Sequence, residues 1–225
     1  VEETFKKQKQ FISDASHELK TPLAVIEANA DVLQDKVGES KWINYIQNEI
    51  ESMNKLINEL LLLAKIENVD NIKEYKELNL SKEIEIILSM FESVAYEKGV
   101  TIENNIEEDI IINGNKEDIE HIVSTLTDNA IKHTARDKKI VVTLKKEKND
   151  IVFEVKNMGE PIPEEEREKI FERFYRIDKS RNRTEKRYGL GLAIAKSTIE
   201  KYNGKIEIGI KGQFAGKTAA LHTAI

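Results

Sequence analysis

The 225-residue sequence predicts an all-α helical hairpin that forms a dimeric four-helix bundle, followed by an α+β two-layer sandwich. Three observations predict this architecture. Helical apolar periodicity fills the first third of the chain, short apolar strands alternate with helices in the rest, and the polar stretch NVDNIKEYKE separates the two regions. We therefore expect the hairpin at residues 1–69, a linker at 70–77 and the second domain at 78–225.

The composition excludes several classes of protein. The formal net charge is −6, whereas binding to nucleic acid requires a basic face. The chain has no cysteine, which excludes disulfides and thiolate metal sites. It has no signal-peptide pattern and no apolar run of about 18 residues, the length that spans a bilayer. Since VEETFKKQKQF begins inside a helical pattern, we expect the chain to be a piece of a longer protein.

Two long helices are predicted for the hairpin, over residues 1–34 and 40–67, joined by the turn DKVGES. The apolar face of the first helix consists of Ile12, Ala15, Leu19, Leu23, Ile26, Ala30 and Leu33. The second helix carries apolar residues at alternating spacings of three and four, at Ile43, Ile46, Ile50, Met53, Ile57, Leu60 and Ala64. Such a seam is typical of a coiled coil, so we infer a homodimer of hairpins. The alternative is a helix that packs only within its own domain.

The second domain begins with a helix that we expect to be capped by Ser81 and closed by Gly99. The remaining predicted elements are, in order, the strands VTIENNI and DIIIN, the helix NKEDIEHIVSTLTDNAIKHT, a β-hairpin over KKIVVTLKKEKNDIVFEVKN, a short helix in EPIPEEEREKIFERFYR, a helix in GLGLAIAKSTIEKYNG, and the strands KIEIGI and KTAALHTAI. Strands grouped among helices in this order favour one sheet covered on one face.

His17 is the first candidate functional residue. At about 100° per residue, it lies roughly 120° to 180° from the apolar face, so the spacing predicts an imidazole in solvent. Thr21 follows on the same face, and Glu18 is close enough to fix the tautomer and leave a nucleophilic ring nitrogen. Pro22 should bend the helix locally. The alternative for His17 is a surface histidine without a role. The alternative for Pro22 is a kink that a stable bundle tolerates.

A second candidate site is TDNAIKHT. Asn129 lies on the inward side of its predicted helix, and Lys132 and His133 share its face. An amide oxygen beside a lysine suits Mg²⁺ and a polyphosphate. The alternative is a structural asparagine bonded to the backbone.

Glycines mark a third candidate site. The backbone N–H groups of Gly189, Leu190 and Gly191 stand where a turn enters a helix, a position that favours phosphate. The preceding segment is basic, with Lys179, Arg181, Arg183, Lys186 and Arg187. This excess suits a mobile lid over an anionic ligand. The alternative for the glycines is a plain turn, and the alternative for the basic segment is a solvated loop.

Five segments, taken in this order, resemble the motifs of bacterial two-component sensor histidine kinases. FISDASHELKTPLAVI resembles the H-box, TDNAIKHT the N-box, NMGEPIP the first glycine box, IFERFYR the F-box and YGLGLAIAK the second glycine box. The resemblance covers essentially the whole chain. It implies a HisKA-type dimerisation and phosphotransfer hairpin, followed by a Bergerat-type (GHKL) ATP-binding domain.

The resemblance also implies roles for the residues of the first motif. His17 would accept the phosphoryl group, and Glu18 would be the base or orient the ring. Thr21, in ELKT, matches the E-x-x-T signature of phosphatase activity toward the phosphorylated regulator.

The other motifs would bind ATP or ADP with Mg²⁺. Asn129 would hold the metal, Lys132 a phosphate, and His133 would lie near the nucleotide. Phe171 would pack the base of the lid together with Phe174. The remaining residues expected at the nucleotide are Asn157, Gly159, Ile162, Phe174, Arg181, Arg183, Gly189, Leu190, Gly191 and Leu192.

Three positions depart from the family pattern. Asn157 stands where the family usually has an aspartate that accepts from the adenine amino group. Because an amide can also donate, we expect weaker adenine selectivity. Thr125 replaces a usual asparagine of the N-box, and Pro161 replaces a glycine of the first glycine box.

The expected function is ATP-dependent autophosphorylation of His17 and phosphoryl transfer to an aspartate of a response regulator, with phosphatase activity toward that regulator. The expected partners are a second copy of the chain and the regulator, without nucleic acid. The chain would be the cytoplasmic portion of a protein anchored by segments absent here. One alternative is a degenerate nucleotide-binding scaffold. Another is a GHKL ATPase of the chaperone or mismatch-repair type, which has no need of a hairpin presenting a histidine.

Overall fold

The computed structural model describes residues 2–66, 75–148, 150–177, 188–211 and 214–221, with side chains apart from those of residues 2–14, 17 and 210–221. The chain divides into two compact units. One consists of residues 1–71, which contain a helical hairpin, together with residues 178–190, and the other is an α/β unit of residues 72–177 and 191–225. Within the described ranges, no helix is both long and apolar enough to cross a membrane.

The hairpin consists of α1 (Glu2–Val37) and α2 (Lys41–Ile66). The helix α1 runs three residues further than predicted, because it ends at Gly38 rather than at the preceding polar residues. Gly38 has φ of +75°, and its N–H donates to the Gln34 carbonyl at 2.8 Å. This left-handed glycine is a common way to close a helix. The helix α1 continues through Pro22 without a break.

Every second layer of the predicted seam is buried inside the hairpin. The buried members are Leu23, Ala30, Ile43, Ile50, Ile57 and Ala64. Of the members that alternate with them, Leu19, Ile26, Leu33, Ile46 and Met53 are 40–50% exposed, whereas Leu60 is half-buried. Each set repeats every seven residues, so one hairpin covers half of the heptad positions and leaves the other half uncovered.

The second unit is a two-layer sandwich. Its helices are α3 (Leu80–Glu97), α4 (Lys116–His133) and α5 (Gly191–Lys201). Its strands are β1 (Lys76–Asn79), β2 (Val100–Ile106), β3 (Ile111–Gly114), β4 (Lys138–Glu147), β5 (Asp150–Asn157), β6 (Lys205–Lys211) and β7 (Phe214–Leu221).

One five-stranded sheet has the order β2-β4-β5-β7-β6, and β1 pairs with β3 in a separate two-stranded sheet. Only the β2–β4 pair is parallel in the larger sheet. Alternate residues of β4 and β5 are buried in one core with the helices. This alternation confirms the predicted α+β sandwich with one covered face.

Two local predictions are wrong. Part of the expected linker 70–77 is strand, since Lys76 and Glu77 belong to β1. The cap of α3 is Asn79 rather than Ser81, because the Asn79 side chain accepts from the Lys82 N–H at 3.0 Å. Ser81 is the buried second residue of the helix, and its Oγ donates to the Glu107 carbonyl and accepts from the Ile110 N–H instead of capping α3.

The segment after β5, predicted as a short helix, does not form an α-helix. The structure has two 3₁₀ turns instead, at Glu164–Glu166 and Lys169–Phe171. Each turn spans three residues, and the second contains the buried Ile170 and also Phe171, which packs against the core.

Candidate functional site

The backbone of His17 lies in the middle of α1, and its side chain lies outside the described residues. The preceding residue, Ser16, is buried, whereas Glu18 and Thr21 are exposed. Thr21 continues into an exposed, largely apolar strip with Ala24, Val25 and Ala28. Exposure of the His17 imidazole therefore stays a prediction.

In the second unit, three residues at a spacing of four form a polar ridge along α4: Thr125, Asn129 and His133. Such positions lie about 40° apart on a helix, so they follow one line. The Nδ2 of Asn129 donates to the Thr125 carbonyl at 2.9 Å. That bond uses the donor end of the amide and leaves the oxygen Oδ1 for a ligand.

The last residue of β5, Asn157, meets the C-terminal end of this ridge. Asn157 is 8% exposed, and its Nδ2 donates to the His133 carbonyl at 3.3 Å. Gly159 lies against the same carbonyl, since a Cβ added there would be 2.0 Å from the His133 oxygen. Only glycine permits this approach of two backbones.

The other end of the ridge meets the start of α5. A Cβ added at Gly191 would lie 3.2 Å from the Thr125 Cγ2 and 3.9 Å from its Oγ1. Thr125 therefore presents its methyl group to this glycine. Gly189 has φ of +70°, as expected of a tight glycine turn, Leu190 is buried and Leu192 packs against the core.

The predicted phosphate ligand Lys132 is half-buried and forms an ion pair with Asp128, one turn earlier on α4. Sequence reasoning missed Lys98, which follows α3. Its Nζ donates to the Lys132 backbone carbonyl at 2.7 Å. No local signal marks Lys98, because its partner is 34 residues away.

The segment after Gly159 only partly follows the predictions. Phe171 is half-buried against the core, with the Lys196 Nζ 5.7 Å from its ring centre. Phe174, expected to pack the base of the lid with it, is 60% exposed and has φ of +63°. Since the basic segment expected to form the lid lies outside the described residues, the packing of Phe174 stays a prediction.

Tyr175 anchors this segment by donating from its hydroxyl to the Glu166 carboxylate. This hydrogen bond, with burial as a second cause, raises the pKa of Tyr175 to about 12. The same bond lowers the pKa of Glu166. Ile162 is half-buried, and its carbonyl accepts from the Arg167 Nε at 3.5 Å. Arg181 and Arg183 lie outside the described residues.

The donor set fits a metal that is shared with phosphates. Among the described residues, no group of three or more His, Cys, Asp or Glu side chains could hold an ion by itself. Mg²⁺ commonly takes one or two protein oxygens and completes its shell with water and substrate phosphates. The Oδ1 of Asn129 suits that arrangement.

Two domain families match the chain. Residues 7–69 match the His Kinase A (phospho-acceptor) domain. Residues 114–222 match the family described as histidine kinase-, DNA gyrase B-, and HSP90-like ATPase. The first match contains His17, and the second contains the α4 ridge, Asn157 and the glycine turns.

Similar full-length proteins include the sensor protein DltS of Streptococcus agalactiae, 35% identical over 206 residues, which are 92% of this chain and 52% of that protein. The signal transduction histidine-protein kinase ArlS of Staphylococcus aureus is 33% identical over 217 residues, 92% of this chain and 47% of that protein. The chain thus spans about half the length of these curated relatives.

A crystal structure of full-length ShkA, in complex with AMPPNP, has the same fold. It aligns with a TM-score of 0.81 at 20% identity over 96% of this chain and 46% of that one. The two domain families, their order along the chain and the curated relatives all point to the same protein family. The chain belongs to the two-component sensor histidine kinases, of which it carries the phosphoacceptor and ATPase domains.

Proposed function

We propose that the chain phosphorylates itself on His17 with ATP and passes the phosphoryl group to an aspartate of a response regulator. The α4 ridge supports the proposal, because it carries the Asn129 amide, and the backbones of Gly159 and Gly191 approach its two ends. The phosphoacceptor domain match at residues 7–69 supports His17 as the acceptor.

In this reaction an unprotonated ring nitrogen of His17 attacks the γ-phosphorus of ATP. The N–P bond forms while the bond to the β,γ-bridging oxygen breaks, and ADP leaves with that electron pair. Glu18 accepts or orients the proton on the other ring nitrogen. The regulator's aspartate then attacks the phosphorus, the N–P bond breaks and the imidazole is restored.

On the nucleotide side, Asn129 would hold Mg²⁺, which would supply positive charge to neutralise the phosphates. Lys132 exchanges its Asp128 partner for a phosphate. The backbone N–H groups of Gly189 and Gly191, at the start of α5, receive the phosphates. Arg181 and Arg183 add positive charge from the basic segment. The site thus works by positioning and charge stabilisation.

The chain forms a homodimer in this proposal, in which two hairpins pair as a four-helix bundle. The uncovered heptad layers support this, because Leu19, Ile26, Ile46 and Met53 repeat at the spacing of the buried layers. A buried apolar side chain contributes about 1.5–3 kcal/mol, so covering these residues stabilises both hairpins. We also propose that the complete protein is anchored in a membrane by segments outside this chain.

The experiment that tests the function is incubation of the purified chain with γ-labelled ATP and Mg²⁺. We expect label that is stable in alkali and lost in acid, as for phosphohistidine. Asn129→Ala should reduce labelling by about 10² or more, because it removes the proposed metal ligand. The exposed Asn113→Ala is the matched control. Full labelling of Asn129→Ala would refute the Mg²⁺ assignment.

Thr21→Ala should separate the phosphatase from the kinase. Thr21 is exposed, so its replacement should change stability by less than about 0.5 kcal/mol. We expect dephosphorylation of the regulator to slow by about tenfold, while autophosphorylation stays within about twofold. The measurement follows loss of phosphoryl-regulator with ADP present. Equal losses in the two activities would count against a hydroxyl that orients water.

A further inference from the structure

The hydroxyl of Tyr202, the residue that follows α5, bridges the C-terminal end of α5 and the N-terminal end of α4. The Asn115 N–H donates to this hydroxyl at 2.9 Å, and the hydroxyl donates to the Asp118 Oδ2 at 3.3 Å. Tyr202 is 8% exposed and Asp118 is 2% exposed. Water therefore has little access to replace the bonds of this Tyr202 bridge.

The bridge completes the N-terminal cap of α4. Asn115 is the N-cap, and its Oδ1 accepts from the N–H of Asp118, the third residue of the helix, at 3.1 Å. In a capping box, the side chain of the third residue accepts directly from the N–H of the N-cap. Here the Tyr202 hydroxyl lies between these two groups, and it accepts from one and donates to the other. The start of α4 thus depends on a residue at the end of α5.

The surroundings of Tyr202 hold its ring in place. The ring centre lies 5.4 Å from that of Tyr75, and a Cβ added at Gly114 would lie 3.4 Å from the Tyr202 Cε1. Burial is the main cause that raises the pKa of Tyr202, so the hydroxyl keeps the proton that it donates to Asp118. The bridge is therefore a fixed contact within the α/β unit.

The opposite end of α5 contacts the middle of α4. A Cβ added at Gly191, the first residue of α5, would lie 3.2 Å from the Thr125 Cγ2. At about 1.5 Å per residue, α4 advances about 15 Å from Asn115 to Thr125, and α5 advances about 16 Å from Gly191 to Tyr202. Because the two spans match, α5 runs antiparallel to α4 and is held at both ends. The two contacts together fix the position of α5 along α4.

We propose that Tyr202 is a positioning residue for the phosphate contacts: by joining the end of α5 to the start of α4, it sets where the first turn of α5 lies along the ridge that carries Asn129. This inference rests on the proposed nucleotide site and deepens it. Tyr202 lies about 16 Å along α5 from Gly191, so it acts through the axial position of the helix.

Tyr202→Phe tests the bridge, because it keeps the ring and removes the hydroxyl. We expect ADP with Mg²⁺ to bind about fivefold more weakly, as measured by calorimetry at a temperature where the variant is folded. Tyr96→Phe makes the same change at an 85% exposed position of α3 and should bind ADP as the native chain does. Ile84→Val, in the core, should unfold at lower denaturant concentration without a change in ADP affinity.

A second pair of variants addresses the acceptor of the bridge. Asp118→Ala removes the acceptor from α4 and should weaken ADP binding by a similar factor. Asp118→Asn keeps an oxygen that can accept from Tyr202, so its ADP affinity should stay within about twofold of the native value. Because both variants remove the same charge, the difference between them isolates the hydrogen bond.

The decisive measurement combines Tyr202→Phe with Gly191→Ala, which crowds Thr125 at the other end of α5. Without the bridge, α5 can move away from the added methyl group. The double variant should therefore bind ADP at least about threefold more tightly than the product of the two single effects predicts, whereas sites this far apart are normally additive. The proposal is overturned if Tyr202→Phe binds ADP like the native chain, or if the two single effects simply multiply.

Failure of this proposal differs from failure of the nucleotide site. A chain that binds ADP with an affinity that does not depend on the Tyr202 hydroxyl would refute the role of Tyr202 and keep the site. A chain that binds no ADP would refute both.

Discussion

His17→Gln is expected to take up no acid-labile phosphate from γ-labelled ATP, with label at least about 100-fold below that of the native chain. Glutamine has no nucleophilic ring nitrogen, while its helix propensity is high, so α1 should persist. Binding of ADP should be unchanged, because Asn129, Asn157 and Gly159 lie in the α/β unit.

The chain offers a matched control in His222→Gln, since His222 belongs to none of the proposed sites. This variant should label as the native chain does. If His17→Gln still took up label at the native level, the phosphoacceptor would be another residue and the role of α1 would have to be abandoned.

Gly159→Ala is expected to weaken nucleotide binding, with ADP affinity reduced by about 30-fold or more. The added methyl carbon would stand 2.0 Å from the His133 carbonyl oxygen and 2.8 Å from the Asn157 Nδ2. Neither group can move without breaking the contact between β5 and the end of α4. The loop must therefore shift away from the ridge.

Gly209→Ala in β6 is the matched control, because an added Cβ there has nothing within 4 Å. Both variants make the same chemical change in the same unit. Denaturant unfolding would separate loss of the site from loss of the fold. Native ADP affinity in a folded Gly159→Ala would exclude the glycine loop from the nucleotide site.

Periodicity was sufficient to predict the hairpin and the sandwich, because both depend on where apolar residues repeat. It could not decide which layers of the seam a single hairpin buries. Capping preferences of single residues were less reliable for predicting where a helix begins. Ser81 is a good cap by type, yet Asn79 caps α3, since the pairing of β1 with β3 ends there.

The candidate site was predictable where its residues share one helix. Asn129, Lys132 and His133 were predicted together from their spacing in TDNAIKHT. The bonds of Lys98 and Asn157 were not, because their carbonyl partners are 34 and 24 residues away.

The ridge on α4 gives the site a fixed length. From Thr125 to His133 the helix advances about 12 Å, at about 1.5 Å per residue. The glycine turn of α5 lies at one end, and Asn157 lies at the other. A single-residue insertion between them would rotate one end by about 100° relative to the other. The distance between the proposed phosphate and base contacts is therefore set by helical geometry, and this stretch tolerates substitution better than any change in length.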